Sequence, residues 1–408
     1  MSVQITIDPD GTWVVPDNPK IAFIQGDGIG ADIWPGTRMV LDTAVAAVFR
    51  HQKKIDWVPV LAGAAGFKHN GQWLPKETLE TMQLLKVAMK GPLATPVGDG
   101  IRSLNVQIRR HLDLYACIRP VQYYPPVPSP MIHPGKVDMV VFRENTEDVY
   151  AGIEWESCSK GSRQLIQLLK THLDCDLPDS CALGIKPMSP EKTRRLVKKA
   201  CEYAFENNRK SVTLMHKGNI MKFTEGGFRK WGYEAACESF GDRVITEDIL
   251  YQKYEGILPE GHIMIRDRIA DMVFADVLLK PEQYDIIACP NLNGDYISDA
   301  LAAQVGGLGI APGANIGHTC AVFEATHGTA PDIAGKDLAN PCSMILSGAM
   351  MLDHLGWQTA GDAVRQAVRK ALAGGYLTPD LAGSLSGIKD ISCSGFSQII
   401  KEKLLAGT

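Results

Sequence analysis

Two rhythms of apolar and polar positions alternate along this chain. IAFI (21–24) is an apolar run that breaks into the glycine turn QGDGIG, and ADIWPGTRMVLDTAVAAVFR (31–50) then repeats its apolar positions at helical spacing. KIDWVPVLAG (54–63) reads as a second strand. A strand–helix–strand unit predicts a parallel sheet. LLKVAMKG (84–91), VDMVVFRE (137–144), SVTLMH (211–216) and YDIIACP (284–290) are further strand candidates. Residues 191–208, FRKWGYEAACESFG (228–241), RDRIADMVFADVLLKP (266–281), DYISDALAAQ (295–304) and SMILSGAMMLDHLGW (343–357) read as helices. The pattern predicts an α/β protein. Residues 156–190 change character, broken by Gly and Pro and carrying cysteines, and are expected to form an excursion from the body, such as an oligomerisation arm. The turn at Gly26, Gly28 and Gly30 spells G-x-G-x-G, one residue short of the dinucleotide fingerprint, so a standard Rossmann fold is not expected.

Composition narrows the classes. With 46 acidic against 42 basic residues and a net charge of −4, the chain is no match for nucleic acid or an anionic membrane surface. No apolar run reaches transmembrane length, and MSVQITIDPDGTW reads as neither a signal nor a transit sequence. Ten scattered cysteines form no C-x-x-C pair. A reduced, cytoplasmic chain is expected.

Candidate chemistry centres on NLNGDYISDALAAQVGGLGIAPGANIG (291–317). Asn293-Gly294 reads as a turn. Asp295 and Asp299, four apart on a helix, share one face. They fit either a hard divalent cation, Mg²⁺ or Mn²⁺, or a solvated helix start. The uncharged GGLGIAPGAN that follows is expected to bring backbone close to a ligand. Upstream, Arg102, Arg109, Arg110 and Arg119 cluster behind Ser103 and Asn105, at a predicted helix start that favours anions. They read as carboxylate binders or as surface arginines. Arg143 ends an apolar strand, where a sheet delivers a side chain to a cleft. Tyr150 is a core tyrosine or a general acid, and Lys217 an acid/base group or a surface lysine. Asp271, on a helical face with Asp267, is a third metal ligand or a solvated acid. Glu324, His327 and Gly328 open a polar loop suited to a planar or phosphorylated ligand.

Taken in order, GDGIG, SLNVQIR, RPV, FRENTEDVYAGIEW, HKGNIMKFTEG, NLNGDYISD, APGANIG and ATHGTAP resemble the bacterial homodimeric isocitrate dehydrogenases of the β-decarboxylating dehydrogenase family, over nearly the whole chain. The resemblance implies the isocitrate/isopropylmalate dehydrogenase-like α/β fold, which is not a Rossmann fold. A large domain (1–114 and 306–408), a small domain (115–147 and 190–305) and a dimer clasp (148–189) are then expected. It implies metal-dependent oxidative decarboxylation of isocitrate to 2-oxoglutarate and CO₂. Ser103, Asn105, Arg109, Arg119 and Arg143 match the substrate binders, and Tyr150 and Lys217 the catalytic pair. Asp271, Asp295 and Asp299 match the Mg²⁺ or Mn²⁺ ligands. Thr95, Asn219, Glu324, His327, Gly328, Thr329, Ala330, Asp332, Ile333 and Asn340 match the dinucleotide contacts. Lys217, Asn219 and Asp271 would come from the other subunit of a homodimer, giving shared active sites. The hydrogen-bonding Ser103/Asn105 pair points to isocitrate over isopropylmalate, homoisocitrate or tartrate. Because the lysine, tyrosine and metal acids are all present, a non-catalytic regulatory subunit is not expected.

The chain departs from the pattern at the cofactor. NADP-using members carry a Lys-Tyr pair after HGTAP, and a later Tyr and Arg, that hold the 2′-phosphate. Asp332-Ile333, and by alignment Pro379 and Gly383, stand here instead. An acid at 332 suits a free ribose diol and repels a phosphate, so NAD is the cofactor expected from these positions.

Overall fold

A computed structural model of the chain describes residues 4–95, 103–383 and 390–407. Fifteen strands are present among them: β1 Thr6–Ile7, β2 Trp13–Val14, β3 Lys20–Ile24, β4 Asp56–Pro59, β5 Val87–Lys90, β6 Ala116–Gln122, β7 Asp138–Glu144, β8 Glu154–Trp155, β9 Leu183–Gly184, β10 Ser211–His216, β11 Val244–Thr246, β12 Ile263–Ile269, β13 Ile286–Cys289, β14 Pro312–Ile316 and β15 Ala321–Ala325. Eleven of them form one sheet in the order β11-β12-β10-β13-β7-β6-β14-β15-β5-β3-β4. Pairing is parallel on both flanks and antiparallel at the centre, where β6 meets β7 and β14, and β14 meets β15. The predicted parallel units at 20–59 are present as β3, the helix Gly30–Val48 and β4. The inner parallel strands are covered on both faces; every residue of β10 and β13 is buried.

The excursion at 148–189 leaves this sheet. It carries its own two-stranded sheet, β8 with β9, and the helix Lys160–Leu173, capped by the Ser159 hydroxyl.

Three sequence expectations are corrected. First, 266–281 is not one helix. IMIRDRI forms β12, and the helix Ala270–Leu279 starts only after it, so Asp267 and Asp271 share no helical face. Isoleucines spaced two apart favour a strand there over a helix. Second, Asn293-Gly294 is no turn but lies inside the helix Asn291–Gln304. Glycine stands at 294 because a Cβ would sit 2.5 Å from Arg143 Cγ. Third, the apolar Gly-rich stretch is not one loop: its second half, from Pro312, is the buried central strand β14, and Leu308–Ile310 before it form a single 3-10 turn. Its lack of charge reflects burial.

The G-x-G-x-G turn is a packing device. Gly28 has φ +56, a Cβ on it would lie 2.0 Å from the Thr329 carbonyl oxygen, and the adjacent Ile29 N–H donates to that oxygen at 2.9 Å. The turn is thereby pressed against the 327–331 loop.

Candidate active site

The antiparallel centre of the sheet delivers the arginines. Arg143 on β7 pairs in register with Cys117 on β6. Residues opposite each other share a face, as do residues two apart, so Arg119 and Arg143 project to the same side. The helix Asn291–Gln304 follows β13 and packs across β7. Its Asp295, Ser298 and Asp299 are three and four apart and form one stripe.

The two layers meet through charge-assisted hydrogen bonds. Arg119 Nη1 donates to Ser298 Oγ at 2.6 Å and to Asp299 Oδ1 at 2.8 Å. Arg143 donates through Nε to Asn291 Oδ1 at 2.9 Å and through Nη1 to Asp295. Tyr150, in the single turn Asp148–Ala151, donates its hydroxyl to Asp295 Oδ2 at 2.7 Å, and the Arg143 guanidinium lies 4.9 Å from its ring centroid. Arg109 donates to Glu324 Oε1 at 2.8 Å, and Lys90 Nζ lies 2.8 Å from Glu324 Oε2.

This wall holds four cations, Lys90, Arg109, Arg119 and Arg143, against three carboxylates, Asp295, Asp299 and Glu324. The surplus of positive charge in a desolvated wall selects for an anionic ligand. Beside these cations two buried atoms, Asn105 Oδ1 and Arg109 Nε, are without partners among the described residues. Both lie on the helix Leu104–His111, whose N-cap is Ser103; Arg109 stands in its last turn. Unpaired buried polar atoms are costly, and a polar ligand would satisfy them.

Electrostatics divide the two aspartates. Burial pushes the Asp295 carboxyl up, but Arg143 and the Tyr150 hydroxyl outweigh it and hold it below the usual range. Burial wins at Asp299, whose carboxyl is raised against the pull of Arg119. Burial, with the Asp295 hydrogen bond behind it, pushes Tyr150 up to about 12, so its proton is retained for donation.

The expected catalytic lysine is not in this cluster. Lys217, at the end of β10, pairs with Asp271 at 2.6 Å from Nζ to Oδ1. The pair is open, with side chains 30% and 68% exposed. Asn219 is exposed beside it. Asp271 therefore does not join Asp295 and Asp299, and no group of three His, Cys, Asp or Glu side chains gathers a metal site among the described residues. Asp295 and Asp299 still fit a hard cation by donor type: two carboxylates one turn apart, each now engaged by a guanidinium.

The expected dinucleotide contacts divide similarly. His327 Nδ1 donates to the Gly328 carbonyl at 3.0 Å, which leaves the buried Nε2 as an acceptor without a partner among the described residues, and a Cβ on Gly328 would meet open space, so the 327–330 loop offers a free acceptor beside room for a ligand. Burial lowers the His327 pKa, which favours the neutral ring. Ile29 already engages the Thr329 carbonyl, and Ala330 has φ +39. Glu324, by contrast, is a buried counterion for Lys90 and Arg109. Asn340 caps the helix Cys342–His354, accepting from the Cys342 N–H at 3.0 Å and donating to Asp380 at 3.1 Å. Thr95 is the last described residue before 96–102, and Arg102 lies outside the described residues.

Lys90, Asn291 and Ser298 were not singled out by the sequence. Ser298 could have been found, because it stands three residues from Asp295 on the same helical stripe. Lys90 ends an apolar strand, as Arg143 does. A cavity of about 1100 Å³, lined by residues such as Tyr115, Arg195 and His354, contains none of the candidate residues.

A family model described as isocitrate/isopropylmalate dehydrogenase matches residues 20–400. The chain belongs to this family. Among similar proteins is one named isocitrate dehydrogenase [NADP] from Archaeoglobus fulgidus, 50% identical over 395 residues, which span 97% of this chain and 95% of the relative. A second, of the same name, from Staphylococcus epidermidis, is 49% identical over 420 residues, with 98% of each chain covered. Among solved structures, the isocitrate dehydrogenase from Methylococcus capsulatus superposes with a TM-score of 0.78 at 35% identity, covering 95% of this chain and 99% of that one. The isocitrate/isopropylmalate dehydrogenase-like fold is thereby established for this family member.

These relatives overturn the expectation of NAD, because those near 50% identity are named for NADP. The argument for NAD rested on four positions read as ligand-facing. In the structure Ile333 packs on the core, Pro379 opens the short helix Pro379–Ala382, and Gly383 closes it. Missing cations at such positions say little about the cations supplied elsewhere. Lys336, four residues beyond Asp332, has no ion pair among the described residues.

No helix among the described residues is long and apolar enough to cross a membrane.

Proposed function

We propose that this chain oxidises and decarboxylates isocitrate to 2-oxoglutarate and CO₂, using a divalent cation, Mg²⁺ or Mn²⁺, and NADP. The observation that carries this reading is the wall of Arg109, Arg119 and Arg143 facing Tyr150, Asp295 and Asp299. Its charge and donor geometry suit a tricarboxylate, and the unpartnered Asn105 Oδ1 beside Arg109 Nε suits a polar substituent more than an apolar one. The names of the relatives support the same substrate and oxidant.

The arginines bind and orient the substrate carboxylates. Lys217 takes the hydroxyl proton as hydride leaves the same carbon. The β-keto acid loses CO₂, and Tyr150 gives its proton to the carbon left behind. When bound, the cation held by Asp295 and Asp299 supplies Lewis acidity at the substrate oxygen, and the dinucleotide supplies the hydride acceptor. His327 and the Gly328–Ala330 backbone would line the dinucleotide.

A homodimer with shared sites completes this reading. Lys217 and Asp271 stand apart from the arginine wall, and beside Lys217 the apolar Ile220 and Phe223 are 69% and 92% exposed. Apolar side chains this open call for a cover. A second copy would cover them while bringing its own Lys217, Asn219 and Asp271 to this wall. The same reading divides the body into a large unit (1–114 and 306–408) and a small unit (115–147 and 190–305), with the 148–189 excursion as a clasp and the cytoplasm as location.

The direct test is the initial rate with isocitrate, Mg²⁺ and NADP, beside the same assay with 3-isopropylmalate. Turnover of isocitrate alone is expected, and turnover of only 3-isopropylmalate would overturn the substrate assignment. Asp332→Lys is a second test. A cation in place of an exposed carboxylate at the ribose end of the dinucleotide should lower the KM for NADP about tenfold or more. An unchanged KM would remove residue 332 from the cofactor contacts.

A further inference from the structure

A buried cluster of charge, used by nothing above, ties the separated parts of the site together. Asp148 and Glu225 are both fully buried, and one ammonium, Lys186, serves both. Lys186 Nζ bonds Asp148 and lies 3.1 Å from Glu225 Oε1. Each acid grips backbone that carries a candidate catalytic or metal-binding residue. Asp148 accepts from the Val149 N–H at 2.7 Å, next to Tyr150, and from the Leu292 N–H at 3.0 Å, in the first turn of the helix that presents Asp295. Glu225 accepts from the backbone N–H of Lys217 and, at 3.0 Å, from Asn293 Nδ2 on that same helix. Asp148 holds φ +71, a left-handed conformation a non-glycine residue rarely adopts.

From this we propose that Lys186, Asp148 and Glu225 are positioning residues: a single buried node that sets Tyr150, Asp295 and the Lys217 strand end in register. The inference rests on the functional reading above. Two carboxylates sharing one ammonium would repel each other in a dry site. Here helix N-termini help to balance them, because Glu225 opens the helix Glu225–Phe240 and Asp148 engages the start of Asn291–Gln304. Lys186 belongs to the 148–189 excursion, so the arm reaches the chemistry through this node. If the sites are shared between subunits, the node joins Tyr150 of one site to Lys217 of the other.

The experiment compares Lys186→Met, Lys186→Arg and Glu225→Gln with the wild type. It measures kcat and KM for isocitrate, and hydrogen exchange of the Lys217 backbone amide, which donates to Glu225. Lys186→Met is expected to lower kcat about a hundredfold, the scale of a misplacement near 1 Å. KM should change little, since the arginine wall is untouched. Lys186→Arg should restore much of the rate, because a guanidinium can bridge both carboxylates. Exchange at Lys217 should quicken in Lys186→Met and Glu225→Gln. Folded variants with unchanged kcat and unchanged exchange overturn the proposal. If Lys186→Met does not fold, the isosteric Glu225→Gln decides by the same two readouts. A wild type inactive on isocitrate would instead remove the functional reading, and exchange at Lys217 alone would then decide the node.

Discussion

Asp295→Asn is expected to lower kcat for isocitrate by about a hundred- to a thousandfold. One carboxylate there serves three groups: Arg143, the Tyr150 hydroxyl and, on the proposed reading, the divalent cation. The amide keeps the shape but loses the charge, so the buried Arg143 loses the carboxylate it pairs with. Steady-state kinetics with added Mn²⁺ should show a weaker response to the metal as well. A readout independent of turnover comes from Tyr150. Burial is the main cause of its raised pKa, and Asp295 adds to it. The variant should therefore bring the Tyr150 titration down from about 12 part of the way to its ordinary value, as seen in an ultraviolet difference titration against the wild type. A variant with normal kcat and no change in tyrosine titration would remove Asp295 from the centre of the site.

Glu324→Gln is expected to destabilise the fold by about 3–5 kcal/mol, the usual consequence of breaking a buried ion pair from one side. Its carboxylate is the shared partner of Lys90 and Arg109, all three nearly free of solvent, and it also accepts from Asn315 Nδ2 at 2.7 Å. An amide would leave two buried cations facing each other. Chemical denaturation at neutral pH measures the loss. The pH dependence has a definite sign. Burial raises the Glu324 pKa, but Lys90 and Arg109 outweigh it, so the folded value lies far below the unfolded one. Such a group contributes its stability above the unfolded value of about 4.3, and that contribution fades as pH falls toward the folded value. The gap between wild type and variant should therefore be full at neutral pH and narrow below about pH 4. A gap that stays constant on acidification would mean that the loss is not electrostatic.

Much of this site was legible in the chain because its parts are local. Period and spacing place Asp295 and Asp299 on one helical stripe, Arg143 at the end of an apolar strand and Ser103 at a helix start, and the structure keeps each of these local placements. Family membership was equally legible, since eight motifs in fixed order are hard to reach by chance. Local pattern failed where burial and helical periodicity compete. β14 is uncharged because it is a central strand, and Asn293-Gly294 continues a helix because Arg143 needs the space of the missing Cβ. The cofactor argument failed for a related reason. It treated four positions as facing a ligand, yet Ile333 faces the core and Pro379 starts a helix.

By itself the sequence determined the α/β class, the residue types of the acid and arginine wall, and which short segments carry them. These follow from periods of two and 3.6 and from side-chain chemistry, which act over a few residues. Only the tertiary structure decided which charges are neighbours. Arg109 and Glu324 are 215 residues apart in the chain and 2.8 Å apart in space. Lys217 and Asp271 pair with each other rather than with Asp295. Lys186 finds both Asp148 and Glu225. Pairings of this kind depend on strand order and crossovers, and on the requirement that every buried charge meet an opposite one. No local period encodes them.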